Sequence, residues 1–237
     1  MARAAIEAVT LAVILAACTG GEITGAERGE ELFDSTELSP TDLNVFACST
    51  CHDVDPDAPL LDSGPAGYNL YGAANRGLYW GGDRTTLRDA VDACLIFFMK
   101  AEMLDPATDD ARALYDYLQS ISPAEASSEP LPFTVVENIV DVARGDPGRG
   151  EEVYSQSCQR CHGAAFTARG SILRIEYNLP GVTEEYPDDF PGVDPSLVVI
   201  EKVRHGRFFD IGGDMALFSV EALADEDLGA LLAFLEL

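Results

Sequence analysis

The pentapeptide Cys48-Ser49-Thr50-Cys51-His52 recurs as Cys158-Gln159-Arg160-Cys161-His162. In each copy two thiols stand about one helical turn apart and an imidazole follows directly. That spacing lets both thiols add to the vinyl groups on one edge of a porphyrin, the pattern of covalent c-type haem attachment. The following residue, His52 or His162, is then held under the iron as an axial ligand. A lone Cys-x-x-Cys is shared by redox motifs and zinc ribbons. Two of the three histidines and four of the six cysteines fall within the two motifs. The other reading is a single zinc held by Cys48, Cys51, Cys158 and Cys161, which leaves both motif histidines without a role.

A second repeat precedes each motif: Arg28-Gly29-Glu30-Glu31-Leu32-Phe33 returns as Arg149-Gly150-Glu151-Glu152-Val153-Tyr154. Glutamates early in a helix suit the positive end of its dipole, and a glycine shares a face with the aromatic four residues later. That face can approach another helix closely. The expected partner is the closing helix of each half, where Leu114, Tyr117, Leu118 and Ile121 recur at helical spacing, as do Leu228, Leu231, Leu232 and Leu235. Thr108 is placed to cap the first of these, with Asp109 and Asp110 in its first turn. Asp225, Glu226 and Asp227 open the second. Gly29 lies 19 residues before Cys48 but Gly150 only 8 before Cys158, which predicts an insertion around Ser35 to Asn44.

On these residues both halves resemble class I cytochrome c domains, and the resemblance covers nearly all of the chain after residue 17. It implies an all-α fold of two tandem class I cytochrome c domains, each built around one covalently bound haem c. Residues 1–17 read as a signal peptide, 18–129 as the first domain with its tether, and 130–237 as the second. In the family a glycine- and aromatic-bearing first helix crosses a last helix ending in a pair such as Tyr117-Leu118 or Phe234-Leu235. Ser122 to Pro132, rich in Ser, Pro, Ala and Glu, reads as a linker, and Phe133 to Val142 is expected to pack on the second domain. Gly64-Pro65 resembles the family's Gly-Pro, whose carbonyl takes the proton of the proximal imidazole, and Pro180 is its expected counterpart.

The distal ligand decides the chemistry of each iron. Met215, within Gly212-Gly213-Asp214-Met215-Ala216, resembles the family's Gly-x-Met-Pro loop with Ala216 in place of the proline. Its competitor is His205, which is expected at the exposed end of an apolar helix, Leu197 to Val203. In the first half Met99 and Met103 compete. Met99 precedes Tyr117 by 18 residues, much as Met215 precedes Phe234 by 19, so Met99 is the expected ligand and Met103 apolar filler. Cys94 shares a helical face with Leu87, Val91 and Phe98 and reads as a buried structural thiol. The other reading makes it a thiolate ligand, as in sulfur-oxidising dihaem proteins. Tyr79, Trp80 and Arg84 are candidates to bind the first haem's propionates, and Arg204 those of the second.

The net charge is -26, with 41 acidic against 15 basic residues. That argues against nucleic acid and against an electrostatic hold on anionic lipid, and it suits redox protein partners with basic docking faces. Arg3 and an apolar run from Val9 to Ala17 read as a secretory signal, although Glu7 departs from the pattern. Leu15-Ala16-Ala17-Cys18 resembles a bacterial lipobox, which would acylate Cys18 and place the protein on the periplasmic side of the cell envelope. The expected function is electron transfer between redox partners through two haems, ligated by His52 with Met99 and His162 with Met215. The alternative is a dihaem redox enzyme, thiosulfate dehydrogenase-like or peroxidase-like, with one haem open to substrate.

Overall fold

The computed structural model describes residues 24–58, 67–173, 179–181, 190–206 and 215–237. The expected signal peptide, Cys18, Gly64-Pro65 and Gly212 to Asp214 lie outside them. Helices α1 (Gly25–Phe33), α2 (Cys48–Cys51), α3 (Leu87–Phe97) and α4 (Asp109–Ser120) form the first half. Helices α5 (Pro147–Val153), α6 (Gln159–His162), α7 (Pro195–His205) and α8 (Asp225–Phe234) form the second, with a π-helical turn, Tyr154–Cys158, joining α5 to α6. Among the described residues there is no β-strand, only isolated bridges between Tyr79 and Arg84 and between Ala164 and Arg169. No described helix is long and apolar enough to cross a membrane.

The local chemistry sets the helix ends. Thr24 and Glu27 cap α1 reciprocally, each side chain accepting from the other's amide. The Thr108 hydroxyl accepts from the Ala111 amide at the start of α4, and Asp146 accepts from the Arg149 amide ahead of α5.

The α1–α4 crossing and the α5–α8 crossing repeat one geometry. A Cβ added to Gly29 would stand 2.0 Å from the Ala113 carbonyl oxygen, and one added to Gly150 would stand 2.0 Å from that of Ala230. Only glycine lets the two backbones meet so closely. One turn on, Phe33 rests against Tyr117 with ring centroids 5.4 Å apart, and Tyr154 against Phe234 at 5.6 Å. The arginine before each glycine bonds the first turn of the partner helix: Arg28 Nε lies 3.2 Å from Asp110, and Arg149 Nε 2.8 Å from Asp227. The sequence repeat is therefore a packing repeat.

Among the described residues the two halves differ in how much core they hold. The second has a cluster running from Val153 and Tyr154 through α7 to Leu235. The first has a small one, Phe33, Leu114, Tyr117 and Leu118, beside a large cavity. The extra residues after α1 fold as turns that return to the end of α3, where the buried Ser39 hydroxyl donates to the Met99 carbonyl.

The segment read as a linker is laid along the first half. The Ser122 hydroxyl accepts from the Ala74 amide at 2.9 Å, and Asn75 Nδ2 donates to the Pro123 carbonyl at 2.7 Å. Phe133 was expected on the second half, but its ring packs on Tyr68 and Trp80 of the first, because the cavity there offers an apolar edge. The crossing to the second half follows at once: Thr134 donates to Glu221 through its amide (2.9 Å) and its hydroxyl (2.5 Å), and Ile139 and Val142 pack on the second core.

Candidate functional site

Helix α2 carries Cys48 and Cys51 on one turn, and the chain turns extended at His52. The His52 Nδ1 lies 2.7 Å from the Tyr68 carbonyl oxygen. A carbonyl only accepts, so Nδ1 bears the proton and Nε2 keeps its lone pair for a metal. The proton goes to Tyr68, three residues beyond the expected Pro65, which lies outside the described residues. A Cβ at Gly67 would meet the His52 ring at 2.4 Å, so this glycine makes the ring's cradle. Burial lowers the His52 pKa, against the opposing Tyr68 bond, and this favours the neutral, ligating imidazole.

Cys48, Cys51 and His52 open onto the cavity, whose other walls are largely apolar. Leu87, Val91, Cys94 and Phe98 of the α3 face line it, followed by Met99. The face that the sequence assigned to the core is thus a cavity wall, and the Cys94 thiol sits on it rather than inside packed protein. Burial pushes the thiols up, Cys48 to about 11 and Cys51 and Cys94 to about 12. Met99 is 4 % exposed and lines the cavity, whereas Met103 is 68 % exposed and does not. Met99 is held there by the end of α3 at Phe97, the positive φ of Lys100 (57°) and the Ser39 bond to its carbonyl. No local pattern marks Ser39, since its partner is 60 residues away.

Of the candidate polar groups, Tyr79 and Trp80 line the cavity and Arg84 does not. Its guanidinium is bound to Asp83 at 2.6 Å. Arg76 takes that place. It is 8 % exposed, lines the cavity, and its Nη2 donates to the carbonyls of Asn69 (3.2 Å) and Tyr71 (2.8 Å). Among the described residues no carboxylate pairs with it, and a buried cation of this kind calls for an anionic partner. The sequence did hold a signal, because Arg76 is the only Lys or Arg between Arg28 and Arg84.

In the second half Cys158, Cys161 and His162 lie on the π turn and α6, with Cys158 buried and its thiol pushed up to about 12 by burial. The Tyr154 hydroxyl donates to the Gly163 carbonyl at 2.8 Å, and the Ser171 hydroxyl to that of Cys161 at 2.9 Å, fixing the turn after the motif. Leu179, just before Pro180, packs on the second core and accepts from the Phe166 amide at 2.7 Å. Met215 packs on the same core.

Two expectations are corrected here. His205 is buried, not exposed. Its Nδ1 faces Glu201 at 3.0 Å and its Nε2 faces the Val136 carbonyl at 2.7 Å, so neither nitrogen is left for iron. Arg204 is 2 % exposed and binds the carbonyls of Phe218, Ser219 and Leu223 as well as Asp225 at 2.6 Å. It organises the turn into α8, because α7 points it inward, and these bonds engage both Nη1 and Nη2.

Among the described residues, which include all four motif cysteines, no group of three or more His, Cys, Asp or Glu is arranged to hold a metal ion. The first site fits a haem instead: a largely apolar slot lined by two thiols, an imidazole and a thioether, with a buried cation that has no carboxylate partner among the described residues.

The family model described as cytochrome c oxidase, cbb3-type, subunit III, matches residues 145–235. That part of the chain is thus similar to a c-type cytochrome domain, a kind of domain that carries covalently bound haem c. No curated protein matches the chain. Among solved structures the chain is similar to a thiosulfate dehydrogenase from Marichromatium purpuratum in its as-isolated form, at 15% identity and a TM-score of 0.42. The alignment covers 89% of this chain and 45% of that one, so this chain spans less than half of that protein's length.

Proposed function

We propose that this c-type cytochrome is a dihaem electron carrier of the bacterial cell envelope, with irons ligated by His52 and Met99 and by His162 and Met215. The observation that carries the reading is the convergence of Cys48, Cys51, His52 and Met99 on one largely apolar cavity. Bound haem supplies reversible one-electron exchange at iron. The chain does the rest. Cys48 and Cys51 fix the cofactor's orientation, and His52 is aimed by Tyr68. Met99, held by Ser39, fills the position that water or substrate would need, and its thioether favours a high potential. Arg76 offers a charge-assisted bond to a propionate. The acidic surface draws a basic redox partner. Domains at 18–129 and 130–237, export by residues 1–17 and a lipid at Cys18 complete the proposal.

A second reading rests on Cys94, which lies on the same wall as Met99. With the Cys94 sulfur on iron, the protein becomes a dihaem oxidoreductase of the thiosulfate dehydrogenase kind, whereas a peroxidase-like one needs an open distal site instead. Magnetic circular dichroism of the oxidised, haem-loaded protein separates the two. Iron to methionine-sulfur charge transfer for two haems supports the carrier. Thiolate or high-spin features from one haem overturn it and direct turnover assays to thiosulfate and peroxide.

A further inference from the structure

The two attachment motifs, more than a hundred residues apart in sequence, meet in space. Arg160, within the second motif, donates from Nη1 to the Ser49 carbonyl and, at 3.4 Å, to the Thr50 carbonyl, both within the first. These contacts stand directly before the second cysteine of each motif, Thr50 before Cys51 and Arg160 before Cys161. Each motif cysteine would bond the rim of its own macrocycle, so the contact would bring the two attachment edges together. The halves share a second boundary. Met215 packs on the second core, while the residues after it, Ala216 and Leu217, line the first cavity. Tyr68, whose carbonyl orients His52, donates its hydroxyl to the Pro132 carbonyl at 2.7 Å, which leaves the Ser219 hydroxyl, also at 2.7 Å, to donate to it.

We infer that Arg160 is the positioning residue for one-electron exchange between the two haem sites, pinning α6 onto the carbonyls of α2 so that the attachment edges face each other. This rests on the dihaem reading above. One electron leaves the ferrous iron at the His52 site, which becomes ferric, and reduces the ferric iron at the His162 site, or the reverse; no bond or proton changes. A one-electron redox protein supplies the electron at one site and another removes it at the other. An exposed arginine that only stapled the halves would change their stability and leave the exchange rate alone.

The test is flash photoreduction of the full haem-loaded protein by a ruthenium photoreductant, followed at wavelengths that separate the two haems. Mass spectrometry counts haems per chain. Wild type should show reduction dependent on reductant concentration and then a concentration-independent internal phase. Arg160→Gln, with two haems and an unchanged far-ultraviolet spectrum, should slow the internal phase several-fold. Arg160→Lys, which keeps the cation, should recover part of it. An absent internal phase in a two-haem wild type, or equal rates in wild type and Arg160→Gln, overturns the inference while sparing the dihaem reading. A chain carrying one haem overturns both.

Discussion

Met99 and Met103 stand one helical turn apart in sequence yet meet opposite environments, because the chain leaves helix after Phe97 and Lys100 turns it with a positive φ. Met99→Leu should abolish the iron–sulfur charge-transfer band of the first haem, and Met103→Leu should leave it unchanged, both read by visible absorption of the oxidised protein. Arg76 supplies a second prediction at this scale. A buried cation in the wall of the proposed first haem site would disfavour the more positive ferric state, so Arg76→Gln should lower that haem's midpoint potential in a spectroelectrochemical titration. Arg84→Gln should not, since its guanidinium is bound to Asp83 away from the cavity.

The repeated helix crossing is the element that each half is built on. At Gly150 a methyl group would lie 2.0 Å from the Ala230 oxygen and 2.7 Å from the Phe234 Cβ, with no flexible side-chain end to give way. Gly150→Ala should therefore force α5 and α8 apart and cost about 1–3 kcal/mol or more, measured by guanidinium unfolding followed by far-ultraviolet circular dichroism. Both crossings were legible in the sequence, because the Arg-Gly-x-x-x-aromatic repeat and the leucine spacing are local patterns. The insertion after Phe33 was legible as a length difference. Its use was not, since the Ser39 bond to Met99 depends on where α3 ends.

At the scale of the whole molecule, buried phenols couple folding to alkaline pH. Burial holds the Tyr154 and Tyr68 phenols above the ordinary tyrosine range. The folded chain keeps these protons where the unfolded chain releases them. Their contribution is thus complete below about pH 10 and declines as pH rises beyond it. The guanidinium midpoint should be lower at about pH 11 than at about pH 8, and Tyr154→Phe should make that difference smaller. The charge of -26 leads to a further prediction: the bimolecular rate of electron transfer to a basic redox protein should fall steeply as ionic strength rises in stopped-flow mixing.

By itself the sequence pointed to the two attachment motifs, and it determined the Thr108 cap and the pairing of first with last helices. Each of these rests on residues within a turn or two of one another, or on a pattern that recurs. Only the tertiary structure decided that the Cys94 face of α3 lines a cavity, that Arg76 rather than Arg84 lies in its wall, and that His205 is bonded at both nitrogens. It alone brought Arg160 onto Ser49 and Thr50. Those outcomes depend on which distant segments come to lie beside a residue, and helical periodicity carries no information about that.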